Sequence, residues 1–132
     1  MERVYNASEV LETIQNYPDY FSFDVEEWFK KPENYCIREG LNLGFAEPKS
    51  PGVYWVHFCF HTCRGRDAIR LTVKMLRQLF QDCPIKSAIG LVHEDNKKAS
   101  WVCRKAGFIS LGHVETENGT CEMLHWIKKE TL

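Results

Sequence analysis

His57, Cys59, His61 and Cys63 occupy alternate positions in one stretch of this 132-residue chain. Imidazoles and thiols are soft metal ligands, and an imidazole can also act as general base toward an amine. On a strand, a spacing of two would set all four on one face. Neighbours on such a face stand about 7 Å apart, so an adjacent pair could share an ion, but four in a line cannot close a tetrahedron. No metal is therefore expected. The six cysteines (Cys36, Cys59, Cys63, Cys83, Cys103 and Cys121) include no C-x-x-C pair, which argues against a zinc ribbon or a dithiol redox centre. Just downstream lies the tight, charged segment Arg64-Gly65-Arg66-Asp67. Arg66, Arg70, Lys74 and Arg77 then recur at helical spacing, a basic face for solvent or for an anionic contact.

The elements that must position these groups follow from periodicity. Val53 to Phe60 is β-branched and aromatic throughout, as a central strand should be. Ala68, Leu71, Thr72, Met75, Leu76, Leu79 and Phe80 repeat at helical spacing until Cys83-Pro84 ends the helix. Ile85 to Val92 reads as a strand. Asn96 or Asp95 caps a helix with Ala99, Val102, Cys103 and Ala106 on one face, and Gly107 fits its C-terminal stop. Phe108 to Glu115 and Thr120 to Ile127 read as strands joined at Asn118-Gly119. Upstream, Val4-Tyr5 starts a short strand. Ser8 caps a helix carrying Val10, Leu11, Ile14 and Tyr17 that Pro18 ends, and Asp24 with Glu27 forms a capping box. Asn34 to Gly40 and Leu41 to Ala46 form a hairpin, and Pro48 to Pro51 a loop. The order β-αα-ββ-β-α-β-α-β-β predicts an α/β (α+β) chain, residues 1–132 forming one domain with a central mixed sheet flanked by helices.

Two stretches resemble the GNAT (N-acetyltransferase) superfamily. The run from Val56 through Arg64-Gly65-Arg66-Asp67-Ala68-Ile69 to Leu71 is similar to that family's fourth strand, phosphate loop and following helix. The run from His93 to Ala99, then Lys105-Ala106-Gly107-Phe108, resembles its Asn-x-x-Ala and Lys-x-Gly-Phe motif. The resemblance implies a GNAT-like acyl-CoA N-acyltransferase fold. It also implies an acetyl-CoA site at Phe60, Arg64, Gly65, Arg66, Asp67, Ala68, Ile69 and Asn96. In that family a diphosphate rests on consecutive amides at a helix N-terminus, aided by the helix dipole. The pattern Arg/Gln-x-x-Gly-x-Gly/Ala keeps those amides bare. Aligned on Arg64, Asp67 and Ile69 stand at the two glycine positions. A carboxylate at ~4–5 Å from a phosphate costs roughly a few kcal/mol in a partly desolvated site. Asp67 could also satisfy the amides itself as an N-cap. The proton-donating Tyr that many members place seven residues after the Asn is here Cys103, and His61 is the second catalytic candidate.

The resemblance leaves two functions. The last half is also similar to small GNAT-like proteins of tailed bacteriophages. With a degenerate loop, that implies a head-assembly or virion protein with a protein partner and weak or absent catalysis. The alternative is an active acetyl-CoA-dependent N-acetyltransferase, in which an amine attacks the thioester directly near Phe60 and His61. Bulk properties exclude other classes. A net charge of −1 gives no electrostatic basis for binding nucleic acid or an anionic membrane. No run of ~20 apolar residues exists, and the first residues are polar. A cytoplasmic location is expected, whether host cytoplasm or virion.

Overall fold

The computed structural model describes residues 1–14, 23–117, 119 and 121–132. Seven strands form one sheet. They are β1 (Glu2–Val4), β2 (Tyr35–Glu39), β3 (Asn42–Ser50), β4 (Val53–Phe60), β5 (Ser87–His93), β6 (Ile109–Glu115) and β7 (Cys121–Lys128). Among the described residues four α-helices accompany them: α1 (Ala7–Thr13), α2 (Val25–Phe29), α3 (Arg66–Asp82) and α4 (Lys97–Ala106). The spatial order is β1-β2-β3-β4-β5-β7-β6. Every pairing is antiparallel except β4 with β5, which α3 connects. This is the mixed sheet and the element order expected from periodicity.

Alternation along the strands divides the interior in two. Ile37, Ala46, Tyr54, Val56 and Ala88 join the α3 residues Leu71, Met75, Leu76, Leu79 and Phe80 in one core. Cys36 and Phe45, the sequence neighbours of Ile37 and Ala46, face the other way with Leu43 and Cys59, onto Val10 of α1, Ile14, and Val25 and Trp28 of α2. Adjacent strand residues thus belong to opposite cores, as the period of two requires. All seven apolar-face positions assigned to α3 are buried.

Local chemistry differs from expectation at three places. Asn6, not Ser8, caps α1; its Oδ1 accepts from the Glu9 amide at 3.0 Å. Asp24 does cap α2, accepting from Glu26 N and Glu27 N. Glu27 does not complete the box, because its carboxylate takes Lys30 Nζ at 2.6 Å. Pro48 to Ser50 is not a loop: β3 continues through it with an irregularity in register, and the turn follows at Gly52, where φ is +78°. Asn96 and Gly107 terminate α4 as the sequence implies, Gly107 in the left-handed region at φ +115°. Tyr17, Pro18 and Asn118 lie outside the described residues.

Leu79 is fully buried, whereas Leu11 on α1 is 45% exposed. Leu79→Ala should lower the unfolding free energy by about 3 kcal/mol, through lost transfer energy and a residual cavity. Leu11→Ala should change it by less than about 0.5 kcal/mol. Urea unfolding curves of both variants check the contrast.

Candidate active site

β4 and β5 pair over three registers only, Val53 with Ser87, Tyr54 with Ala88 and Trp55 with Ile89. β4 stays paired to β3 as far as Phe60, and β5 to β7 as far as His93. The sheet therefore opens into a split beyond Trp55, and the edges of the two strands that face it lack ladder partners there. Gly90 marks the opening on β5: a Cβ built on it would meet only Val56 O, at 3.7 Å. Gly90 carries no signal in the sequence, because its use depends on what stands across the sheet.

At the far end of β4 the chain turns into α3. Gly65 occupies the N-cap position with φ +58° and ψ −128°, a combination that only glycine adopts without strain. A Cβ there would meet nothing within 4 Å, so the space above it is open. No side-chain hydrogen bond caps α3. The Asp67 amide reaches back to Arg64 O at 3.2 Å. A helix of 17 residues thus presents uncapped first-turn amides and the positive end of its dipole beside the split. Arg64 and Arg66 are exposed around it.

This geometry corrects the expected role of Asp67. Its carboxylate does not occupy the amides. It lies 75% exposed and pairs with Arg70 Nη1 at 3.4 Å. A charge so hydrated and so paired exerts an effect of about 1 kcal/mol or less, not several. Ile69 is half-buried and lines a shallow groove of about 530 Å³ with Arg70, Val73, Lys74 and Arg77 on the outer side of α3. Ala68 is buried beneath the first turn.

The remaining candidates separate. His57 stacks on Trp55, with ring centroids 5.4 Å apart, and meets Phe23 edge-on at 5.9 Å. Burial drives its pKa down to about 4. Cys59 is buried in the α1–α2 core, and its Sγ lies 3.5 Å from His61 Nε2. His61 is half-buried, and burial lowers its pKa. Cys63 packs against the α3 core instead, so the four alternating residues do not share a face. Among the described residues no three His, Cys, Asp or Glu side chains gather closely enough to hold a metal ion. Phe60 packs against the α3 core beside Phe58, at 5.8 Å. The His61 amide, expected near the thioester, instead donates to Asn42 Oδ1 at 2.9 Å. Cys103 also packs against the α3 core, and burial raises its thiol pKa to about 11. Asn96 is exposed and spends its side-chain oxygen on the Ala99 amide, at 3.2 Å.

Two polar residues with no sequence signal matter to this architecture. Asn42 is buried at the start of β3. His125 on β7 is fully buried, with Nδ1 at 3.2 Å from Ser110 Oγ on β6 and Nε2 at 3.3 Å from Ser100 Oγ on α4. It is the register partner of Gly90, so it ties α4 and the sheet edge together behind the split.

No protein-family model matches the chain, and no curated protein sequence does. Solved structures do. A mutant of the spermidine N-acetyltransferase SpeG from Vibrio cholerae superposes with a TM-score of 0.76 at 12% identity, covering 98% of this chain and 92% of its own. A GNAT-family acetyltransferase from Bacillus anthracis gives 0.66 at 14%, covering 97% and 94%. The aminoglycoside acetyltransferase AAC(6')-Ib in complex with coenzyme A and kanamycin gives 0.64 at 17%, covering 96% and 86%. The fold is therefore the GNAT acyltransferase fold. None of these three is an assembly or virion protein. Among the described residues no helix is long and apolar enough to cross a membrane.

His57 gives a pH prediction. Above its unfolded pKa of about 6.5 it is neutral in both states and contributes no pH dependence. As pH falls below that value the unfolded chain takes up a proton that the fold refuses until about pH 4. Stability should drop by about 3 kcal/mol over this window. Urea unfolding of wild type and His57→Phe at pH 7, 5.5 and 4.5 should show this extra loss in the wild type alone.

Proposed function

We propose that this chain is an acetyl-CoA-dependent N-acetyltransferase in which an acceptor amine attacks the thioester directly. The observation that carries the proposal is the uncapped N-terminus of α3 at the mouth of the β4–β5 split. A fold alone would not carry it, since one fold hosts many activities.

The residues present suit acetyl-CoA. A diphosphate fits the first-turn amides beside Gly65, apart from that of Asp67, which Arg64 O holds, and the helix dipole, Arg64 and Arg66 add attraction. The arm of coenzyme A carries two amides, and the unpaired edge of β4 beyond Trp55 offers the backbone groups that an added strand would use. Acetyl-CoA supplies an acetyl group already activated as a thioester, so no nucleophilic side chain is required. His61, whose pKa is lowered by burial, stays neutral near pH 7 and could accept the proton that the amine gives up. Cys103, at about 11, holds its proton too tightly to serve as a strong acid. A departing thiolate, with an ordinary pKa near 8.5, needs little help from it. An amine acceptor is in keeping with the spermidine and aminoglycoside enzymes that share the fold. The assembly role, which rested on the altered loop and on the likeness to small phage proteins, is set aside because Asp67 pairs with Arg70, Ile69 lines a groove with Val73 and Arg77, and the structures that share the fold are acetyltransferases.

Calorimetric titration with acetyl-CoA tests the proposal. Binding in the micromolar range is expected. Asp67→Asn should change affinity by less than about threefold, because that carboxylate is exposed and paired. Gly65→Ala should weaken affinity about tenfold, because alanine cannot hold the φ of +58° without strain. Absence of binding up to millimolar acetyl-CoA would sink the enzyme function.

A further inference from the structure

Asn42 is the first residue of β3 and only 4% exposed. Its side-chain amide makes four hydrogen bonds, which fills the capacity of the group. Oδ1 accepts from His61 N at 2.9 Å and from Thr62 N at 3.1 Å. Nδ2 donates to Glu39 O at 3.1 Å and to Thr62 Oγ1 at 2.8 Å. The register partner of Asn42 is Phe60, the last residue of β4. The β3–β4 ladder ends at that pair, and the Asn42 side chain extends the attachment two residues further, onto the segment leaving β4.

That segment is short. Thr62 is three residues from Gly65, the N-cap of α3. With so few rotatable bonds between them, the orientation of the chain at His61–Thr62 is passed on to the first-turn amides. The β2–β3 turn is held from the other side as well, because Glu39 pairs with Lys74 on α3. That ion pair is exposed, so the buried amide of Asn42 carries more of the rigidity.

We infer that Asn42 is a positioning residue for diphosphate binding: by clamping the exit of β4 to the β2–β3 turn, it fixes where the amides at the start of α3 stand. It touches no reacting atom. The inference rests on the acetyl-CoA function proposed above, and the two fail in distinguishable ways.

The test compares wild type, Asn42→Ala, Thr62→Val and the double variant, each first shown to be folded by its unfolding curve. Coenzyme A is titrated by calorimetry. Pantetheine, which has the arm but no diphosphate, is titrated by NMR, which follows millimolar binding. Asn42→Ala should bind coenzyme A about tenfold more weakly, with pantetheine affinity unchanged within about twofold. Thr62→Val should show a smaller loss of the same selectivity. The double variant should be no worse than Asn42→Ala, since the bond between Thr62 Oγ1 and Asn42 Nδ2 is already lost in Asn42→Ala. A folded Asn42→Ala that binds coenzyme A as wild type does would overturn the inference alone. So would an equal loss toward both ligands, which is what general destabilisation produces. If Asn42→Ala does not fold, Thr62→Val decides by itself: a loss confined to coenzyme A supports the clamp, and unchanged affinity refutes it. Failure of wild type to bind coenzyme A would remove the proposed function and this inference together.

Discussion

β4 and β5 stop sharing hydrogen bonds after Trp55 and Ile89, although each strand continues and stays bonded on its other side. The cause lies in how the sheet is partitioned. β1 to β4 form one antiparallel half and β5, β7 and β6 another, and the ladder between the two covers only the first three residues of the parallel strands. Each half is laddered within itself, so beyond Trp55 and Ile89 the seam-side groups of β4 and β5 have no strand partner. A strand edge with unpaired donors and acceptors is costly when it is shut away from any partner. An open seam leaves those groups available to water or to an extended ligand carrying amides.

The second constraint is electrostatic. α3 delivers its N-terminus to the end of the seam, and the glycine at its cap leaves the amides uncovered. Helix ends are usually satisfied by a side chain, as Asn6, Asp24 and Asn96 satisfy the other three here. Among the described α-helices, the one without such a cap is the one beside the opening. The acidic residue of its first turn, Asp67, turns to Arg70 and solvent. Position in a pattern and position in space differ for this carboxylate, and the potential at the helix end follows the second.

Buried polar groups hold the frame around the opening. Asn42 secures the exit from β4, and His125 bridges hydroxyls on α4 and β6. Each joins segments far apart in sequence, and each is fully engaged on both ends of its side chain. Such groups raise the cost of alternative arrangements, because any rearrangement would strand them without partners. The two half-sheets can thus diverge while the loops beside the split remain fixed.

The sequence by itself determined the elements and their order. An unbroken β-branched and aromatic run located the central strand, and a repeat near 3.6, bounded by Pro84 after α3 and by Asn96 and Gly107 around α4, located the two helices, because burial on one helix face leaves a local periodic trace. The motif around Asn96 to Phe108 indicated the fold that the superposed structures share. Sequence patterns gave less at the ends of elements, where Asn6 and Ser8 are chemically equivalent caps and only the backbone chooses between them. They failed at the candidate site itself. Whether Asp67 blocks an amide, whether Cys63 shares a face with His57, and what Asn42 and Gly90 do all depend on rotamers and on contacts across the sheet. Those are properties of residues distant in the chain, and only the folded arrangement brings them to bear on one another.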